Sequence, residues 1–263
     1  MKNIFVLFSI LLTVFTLSSC SKDDVQPENP FLNKVKIAEL KTSSQETIRL
    51  WADNELSIGY QPLYIQVLKN EETLSNKQVS LSPVMQMATM SHGCPHSSTL
   101  SYDPASRSYV GFAVFTMASG TAGTWKLDVE VNGEKLSFPV TIAMAKEGNN
   151  PVKTFTATDG TRYVIALQSL RNPKVGMNDL DVLLFKRESM FSFPAADGFT
   201  MTFHPEMTSM NHGSPNNVNP VGKGNGKYSG KVNFTMTGDW RLFFDIKKDN
   251  TLISSNLYLD ILF

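Results

Sequence analysis

The chain has 263 residues, 41% hydrophobic and 18% charged, which is enough for one large core or two small ones and excludes disorder throughout. Lysine plus arginine number 24 and aspartate plus glutamate 24, so no net field draws in a polyanion and nucleic-acid binding is excluded as the main role. Two cysteines cannot build a disulfide framework or a four-thiolate zinc site.

Met1 to Ser19 carries Lys2, an apolar run from Ile4 to Leu17 and then small residues, the order of a secretory signal. Leu17-Ser18-Ser19-Cys20 resembles the lipobox of bacterial lipoproteins, which implies acylation at Cys20; the alternatives are a plain signal peptide or a short anchor helix. Residues 20–30, with Pro27 and Pro30 among acidic and amide residues, read as a flexible tether. Ser21-Lys22-Asp23-Asp24 resembles the acidic tether of surface lipoproteins in Bacteroidetes-type bacteria. The expected location is therefore the cell envelope, at the outer membrane, with the lipid as membrane anchor.

From residue 31 onward the pattern is β. Leu63–Leu68, Tyr109–Met117, Trp125–Val131, Asp181–Phe185 and Lys231–Met236 are short β-branched or aromatic runs with partial alternation, and no long helical period competes. Asn132-Gly133 is a hairpin signal, and the glycine-rich stretch Gly222 to Lys227 reads as a hairpin loop. Phe191, Phe193 and Phe199 around Pro194 read as a core strand and turn, with a sticky edge for a partner as the alternative.

The chain also repeats itself. Met87-Ala-Thr-Met90-Ser-His92-Gly93-Cys94-Pro95 aligns with Met207-Thr-Ser-Met210-Asn-His212-Gly213-Ser214-Pro215. Tyr109, Gly111 and Phe115-Thr116-Met117 fall over Tyr228, Gly230 and Phe234-Thr235-Met236, Trp125 over Trp240, and Gly59 over Gly176. Asn149-Asn150-Pro151 marks the join. The expectation is an all-β chain of two tandem immunoglobulin-like β-sandwich domains, 31–147 and 150–263, each tryptophan filling a core position.

All four histidines and six of the twelve methionines fall in two windows, 84–96 and 200–215. Met85, Met87, Met90, His92, Cys94 and His96 in the first, and His204, Met207, Met210 and His212 in the second, form the candidate metal set. Thioether, thiolate and imidazole suit Cu(I), and the near absence of carboxylates, Glu206 apart, excludes Ca²⁺ and Mg²⁺. On a strand Met85 and Met87 share a face, and a turn at Met90 to Gly93 folds His92 back toward them. His204 joins Met207, Met210 and His212 only if the strand ends near Pro205.

Against copper stands a structural origin, because methionine is a flexible core filler and the motif recurs by descent alone. Cys94 is either a buried inert thiol or a copper ligand, and Met117 and Met236 are expected mid-strand in the cores. Zinc at His92, Cys94 and His96 ranks low for want of a fourth ligand. Without a nucleophile elbow, a His-Glu-x-x-His or a phosphate loop, no enzyme activity is expected.

Gly176-Met-Asn-Asp-Leu-Asp-Val-Leu-Leu, Met207-x-x-Met210-x-His212-Gly213, Gly226-Lys-Tyr228 and Phe234-Thr-Met236-x-Gly238-x-Trp240-Arg-Leu together resemble the YtkA-like/FixH-like domain of exported bacterial proteins. The first copy departs from the pattern, with a longer insert before Trp125 and Gln61-Pro62 where an asparagine is expected. The resemblance implies a small β-sandwich outside the cytoplasm, often associated with copper or cytochrome oxidase biology. Its methionine-histidine signature falls on Met207, Met210 and His212, and on Met87, Met90 and His92. The leading expectation is a lipid-anchored envelope protein that binds copper, Cu(I) preferred, for trafficking or homeostasis. The alternatives are an adhesion or transporter-accessory lipoprotein with an envelope protein partner and, ranked lower, a carbohydrate-binding module.

Overall fold

The computed structural model describes residues 29–263, so the signal segment, Cys20 and the tether up to Glu28 lie outside the described residues. Period-two alternation sets the faces of the strands. In the stretch Thr124–Val131, Trp125, Leu127, Val129 and Val131 are buried while Lys126 and Glu130 turn outward. Tyr163, Ile165 and Leu167 fill a core in the same way from Arg162–Leu167.

The first sandwich contains β1 (Val35–Lys41), β2 (Thr47–Ala52), β3 (Gly59–Lys69), β4 (Glu72–Thr73), β5 (Val79–Gln86), β6 (Ser91–His92), β7 (Thr99–Asp103), β8 (Ser108–Phe115), β9 (Thr124–Val131) and β10 (Glu134–Val140). The second contains β11 (Val152–Thr156), β12 (Arg162–Leu167), β13 (Gly176–Arg187), β14 (Phe199–Met207), β15 (His212–Gly213), β16 (Val218–Gly224), β17 (Lys227–Phe234), β18 (Asp239–Lys248) and β19 (Thr251–Leu262). No helix occurs among the described residues.

Strand order runs β1-β2-β3-β8-β7 in one layer of the first sandwich and β5-β9-β10 in the other; the second repeats it as β11-β12-β13-β17-β16 and β14-β18-β19. Setting aside the leading strand of each, this is the A-B-E-D against C-F-G arrangement of a constant-type immunoglobulin domain, twice over. The layers differ at one corner. In the first sandwich β5 also pairs with β7 through Val79–Leu100 and Ser80–Thr99, joining both layers into one sheet. In the second, the two layers stay separate sheets, and the Phe203 amide donates instead to the Asn219 side-chain oxygen at 3.0 Å.

Two hairpins turn on Asn-Gly pairs with positive φ at both residues, Asn132-Gly133 between β9 and β10 and Asn225-Gly226 between β16 and β17. That is the backbone twist a two-residue hairpin needs.

Trp125 and Trp240 are among the largest fully enclosed side chains, and each indole N–H donates to a backbone carbonyl, Met117 and Met236 respectively, at 2.9 Å.

The sandwiches meet face to face. On β12 and β13 the residues between the core positions are buried as well: Val164, Ala166, Leu183 and Phe185 point outward and join Val114 and Val152 in a separate apolar cluster, flanked by Ile58, Tyr60, Phe112 and Phe193. A strand buried on both sides loses its alternation, which is why 163–167 and 182–185 read as unbroken apolar runs. Polar contacts frame the cluster. Arg171 pairs with Asp53 at 2.8 Å and donates to the Tyr60 carbonyl at 2.8 Å, and the Gly93 amide donates to the Met190 carbonyl at 2.8 Å.

Candidate metal centre

Strand register shows how the first methionine-histidine segment folds. β6 returns antiparallel to β5, setting His92 opposite Met85, while the Met87 amide closes the intervening turn on the Met90 carbonyl at 2.9 Å. In the second sandwich β15 sets His212 opposite Met207. Met85 faces Trp125 and Met207 faces Trp240 across the next strand. The structural counterpart of Met207 is therefore Met85, not Met87: the first turn is two residues longer, and an alignment without gaps absorbs that difference into the strand.

The candidate ligands then separate by burial. Met85 and Met207 are 0% and 2% exposed, core residues of their sandwiches and out of reach of an ion. Cys94 is also fully enclosed in the first core, and burial pushes its thiol far above the ordinary cysteine range. Enclosed there, Cys94 packs as a core residue and does not line the cavity described below. A thiol reagent is expected to leave the folded protein unlabelled at this residue and to react once denaturant unfolds it; rapid labelling without denaturant refutes the burial argument.

His96 is mostly buried, with Nδ1 2.7 Å from the Cys94 carbonyl; burial lowers its pKa, the hydrogen bond to Cys94 opposing, and its backbone bridges to Ala113 of β8. His204 stands on the outer face of its sheet, stacked on Phe243 with centroids 5.1 Å apart and planes 14° apart. β14 runs through Pro205 to Met207 without a break, so His204 and the inward-facing Met207 project to opposite faces and do not converge.

What does converge is a set drawn from both sandwiches. Met87, Met90, His92 and Met117 of the first and Met190 of the second line one open cleft of about 310 Å³, together with Gly93, Thr116, Thr154, Val164, Arg187 and Phe193; Met90 is 50% exposed at its rim. Met117 corrects its expected place in the core. β8 ends at Phe115, the indole of Trp125 holds the Met117 carbonyl, and the side chain is left 36% exposed at the rim. Met236 leaves β17 in the same way and is 37% exposed.

Met190 sits in the loop between β13 and β14. Its sulfur accepts a hydrogen bond from Arg187 Nη2 at 2.8 Å, which orients the thioether and leaves its second lone pair. Phe191 in this loop is exposed and Phe193 half-buried against the first sandwich, so these rings belong to the junction rather than to a core strand.

His92 is buried, 8% exposed, with its ring fixed by the backbone. Its Nδ1 lies 2.8 Å from the Gly93 carbonyl, which can only accept, so the proton is on Nδ1 and the lone pair on Nε2. A ligating histidine is commonly oriented by this kind of bond. The ring meets Trp125 edge to face at 5.5 Å. Among the described residues no three histidine, cysteine, aspartate or glutamate side chains gather at one point, so any metal here depends on thioethers.

Sequence reasoning missed Met117 and Met190. The one signal for Met117 was its matched position beside Thr116 in the repeat; Met190 has no partner in the first copy.

Comparison with known proteins bears on the second sandwich. No curated protein matches the sequence. Among solved structures, FdeC, a broadly conserved Escherichia coli adhesin, is 11% identical over 90% of this chain and 84% of that chain, with a TM-score of 0.26. At that score the immunoglobulin-like assignment rests on the strand order described above. The YtkA-like family profile matches residues 158–243, which include Met207, Met210, His212 and Trp240. Residues 158–243 of the second sandwich are thus similar to a YtkA-like domain.

Proposed function

We propose that this is a lipid-anchored envelope protein that holds Cu(I) in the cleft between its two sandwiches, for copper trafficking or homeostasis. The observation that carries the reading is the cavity itself: four thioethers and one imidazole with its Nε2 lone pair directed by a backbone bond line a single space. That donor set is soft and uncharged, which suits Cu(I) and disfavours hard ions. The residues that would hold the ion are Met87, Met90, His92, Met117 and Met190. Arg187, Phe193 and Val164 exclude water from one side, and the lipid expected at Cys20 would keep the protein at the membrane.

The test is an anaerobic Cu(I) titration of the full chain, solubilised in detergent, against a colorimetric chelator. Replacing Met117 and Met190 by leucine and His92 by alanine removes donors contributed by both sandwiches. Since loss of a supporting residue alone costs 10- to 100-fold, loss of these ligands is expected to weaken the cleft by more than about 100-fold. An unchanged affinity, with the fold intact by circular dichroism, refutes the reading.

A further inference from the structure

We propose that a second cleft at the junction, built on Tyr60, Asn54 and Asn172, binds a neutral saccharide. The site goes beyond the copper reading and does not depend on it.

This cleft is open, has a volume of about 630 Å³ and shares no residue with the methionine cleft. That size lies within the range of small-molecule sites, roughly 300–1,000 Å³, and a domain junction is where such sites commonly form. Its walls are the β2–β3 connection, the linker around Asn149, the β12–β13 connection and the end of β19. No histidine, cysteine or methionine lines it, so the soft-donor chemistry of the other cleft is absent.

Charge is balanced here. Of the ionisable side chains in the lining, Arg171 is paired with Asp53 at 2.8 Å and Asp260 with Arg241 at 2.7 Å, which leaves Glu55 and Lys146, one of each sign. Neither an anion nor a cation gains from such a lining. What it offers is neutral hydrogen bonding. The side-chain amides of Asn54 and Asn172 are exposed and make no hydrogen bond among the described residues. Each carries a donor and an acceptor side by side, which matches adjacent hydroxyls on one ring.

Tyr60 supplies the apolar part. Its ring is half-buried and backed by Phe112, with centroids 5.3 Å apart, and a tyrosine so held can cover the C–H face of a sugar while its phenol bonds. The phenol oxygen accepts from Gln168 Nε2 at 3.3 Å, so its own proton is left to donate. Gln168 Oε1 is the one buried side-chain polar atom without a partner among the described residues, and Leu167 and Ser169 on either side of it both line the cleft. Turning the amide over only changes which end is orphaned. An added hydroxyl is what completes a network of this kind.

The wall opposite the first sandwich is shaped rather than loose. Leu170 holds a φ of 65°, which is costly for a branched side chain, and Ser169 Oγ beside it donates to the Asp179 carbonyl at 2.9 Å and accepts from the Asp181 amide at 2.7 Å. A peptide is disfavoured as occupant. Where β19 borders the cleft, its backbone is already bonded to Asn149 and Asn150, so no strand edge is offered there.

The experiment is saturation-transfer NMR followed by isothermal titration of the full chain, in a detergent without a sugar headgroup. The probes are maltotriose, cellotriose, chitotriose and mannotriose, with trigalacturonate and trialanine as anionic and peptide counterparts. At least one neutral saccharide is expected to bind more tightly than either counterpart. N54A/N172A, at two exposed positions, should weaken that binding about 10-fold without moving the melting temperature. Y60L should abolish it. No transfer to any of the four saccharides overturns the proposal, as does an affinity that N54A/N172A leaves unchanged. Tighter binding of trigalacturonate or trialanine overturns it too, and makes the cleft an anion or a peptide site instead.

Discussion

Replacing Leu183 by aspartate is expected to part the two sandwiches while each keeps its own fold. Leu183 is 4% exposed and lies in the apolar cluster between the domains, among Val114, Val152, Val164, Ala166 and Phe185. Its neighbours on β13, Val182 and Leu184, point the other way into the second core and are untouched by the change. A carboxylate at the junction would lose its water without gaining a partner, at a cost of several kcal/mol, and the lost leucine adds about 2 kcal/mol. Separation returns the charge to solvent, whereas unfolding the sandwich would also forfeit its core. Scattering should show a longer particle, the two sandwiches should melt in separate transitions, and the Cu(I) uptake proposed for the cleft should be lost because Met190 and Arg187 withdraw from Met87, Met90 and Met117. A compact particle with wild-type copper affinity would refute this account of the junction.

The second large effect concerns Trp240. It is 1% exposed, packs on Phe234 at a centroid distance of 5.3 Å, and faces Met207 across the strand pair. Trp240→Ala should destabilise the second sandwich by about 3–5 kcal/mol, the range for an emptied aromatic site. Against a total of 5–15 kcal/mol for a typical domain, that brings it close to unfolding at ordinary temperature. Trp240→Phe keeps most of the volume but drops the hydrogen bond to the Met236 carbonyl, so it should cost less and release the loop that carries Met236. Urea titrations of the two variants separate these contributions. A cost below about 1 kcal/mol for the alanine variant would mean that the indole does not fill the core.

Much of the architecture was legible because the repeat and the alternation are local signals. Trp125 and Trp240 announce a core in each copy, and Asn132-Gly133 specifies its hairpin by backbone twist alone. The junction was present in the sequence as the unbroken runs 163–167 and 182–185, but a strand buried on both faces does not say what covers the second face.

The site was harder to read, for two physical reasons. Counting residues between methionines cannot reveal a turn lengthened by two, so Met87 took the place that belongs to Met85. A cavity shared by two domains also draws on residues remote in sequence: Met190 reaches Met87 and His92 only because the sheets pack against each other. Cys94 shows the converse. Its position between two histidines suggested a ligand, whereas in the structure it is enclosed in the first core.

The corner at which the two sandwiches differ bears on how each one breathes. Where Val79 and Ser80 of β5 pair with Leu100 and Thr99 of β7, the first sandwich has one seam sealed by backbone bonds, and its layers cannot splay there without breaking a ladder. At the same corner of the second sandwich a side-chain amide, that of Asn219, ties across to the Phe203 backbone. Opening that seam breaks fewer backbone bonds, and amides along β14 and β16 will therefore exchange with solvent sooner than those along β5 and β7. The second sandwich is thus expected to be the half whose layers shift more readily, while the first, with its seam laddered, moves as one sheet.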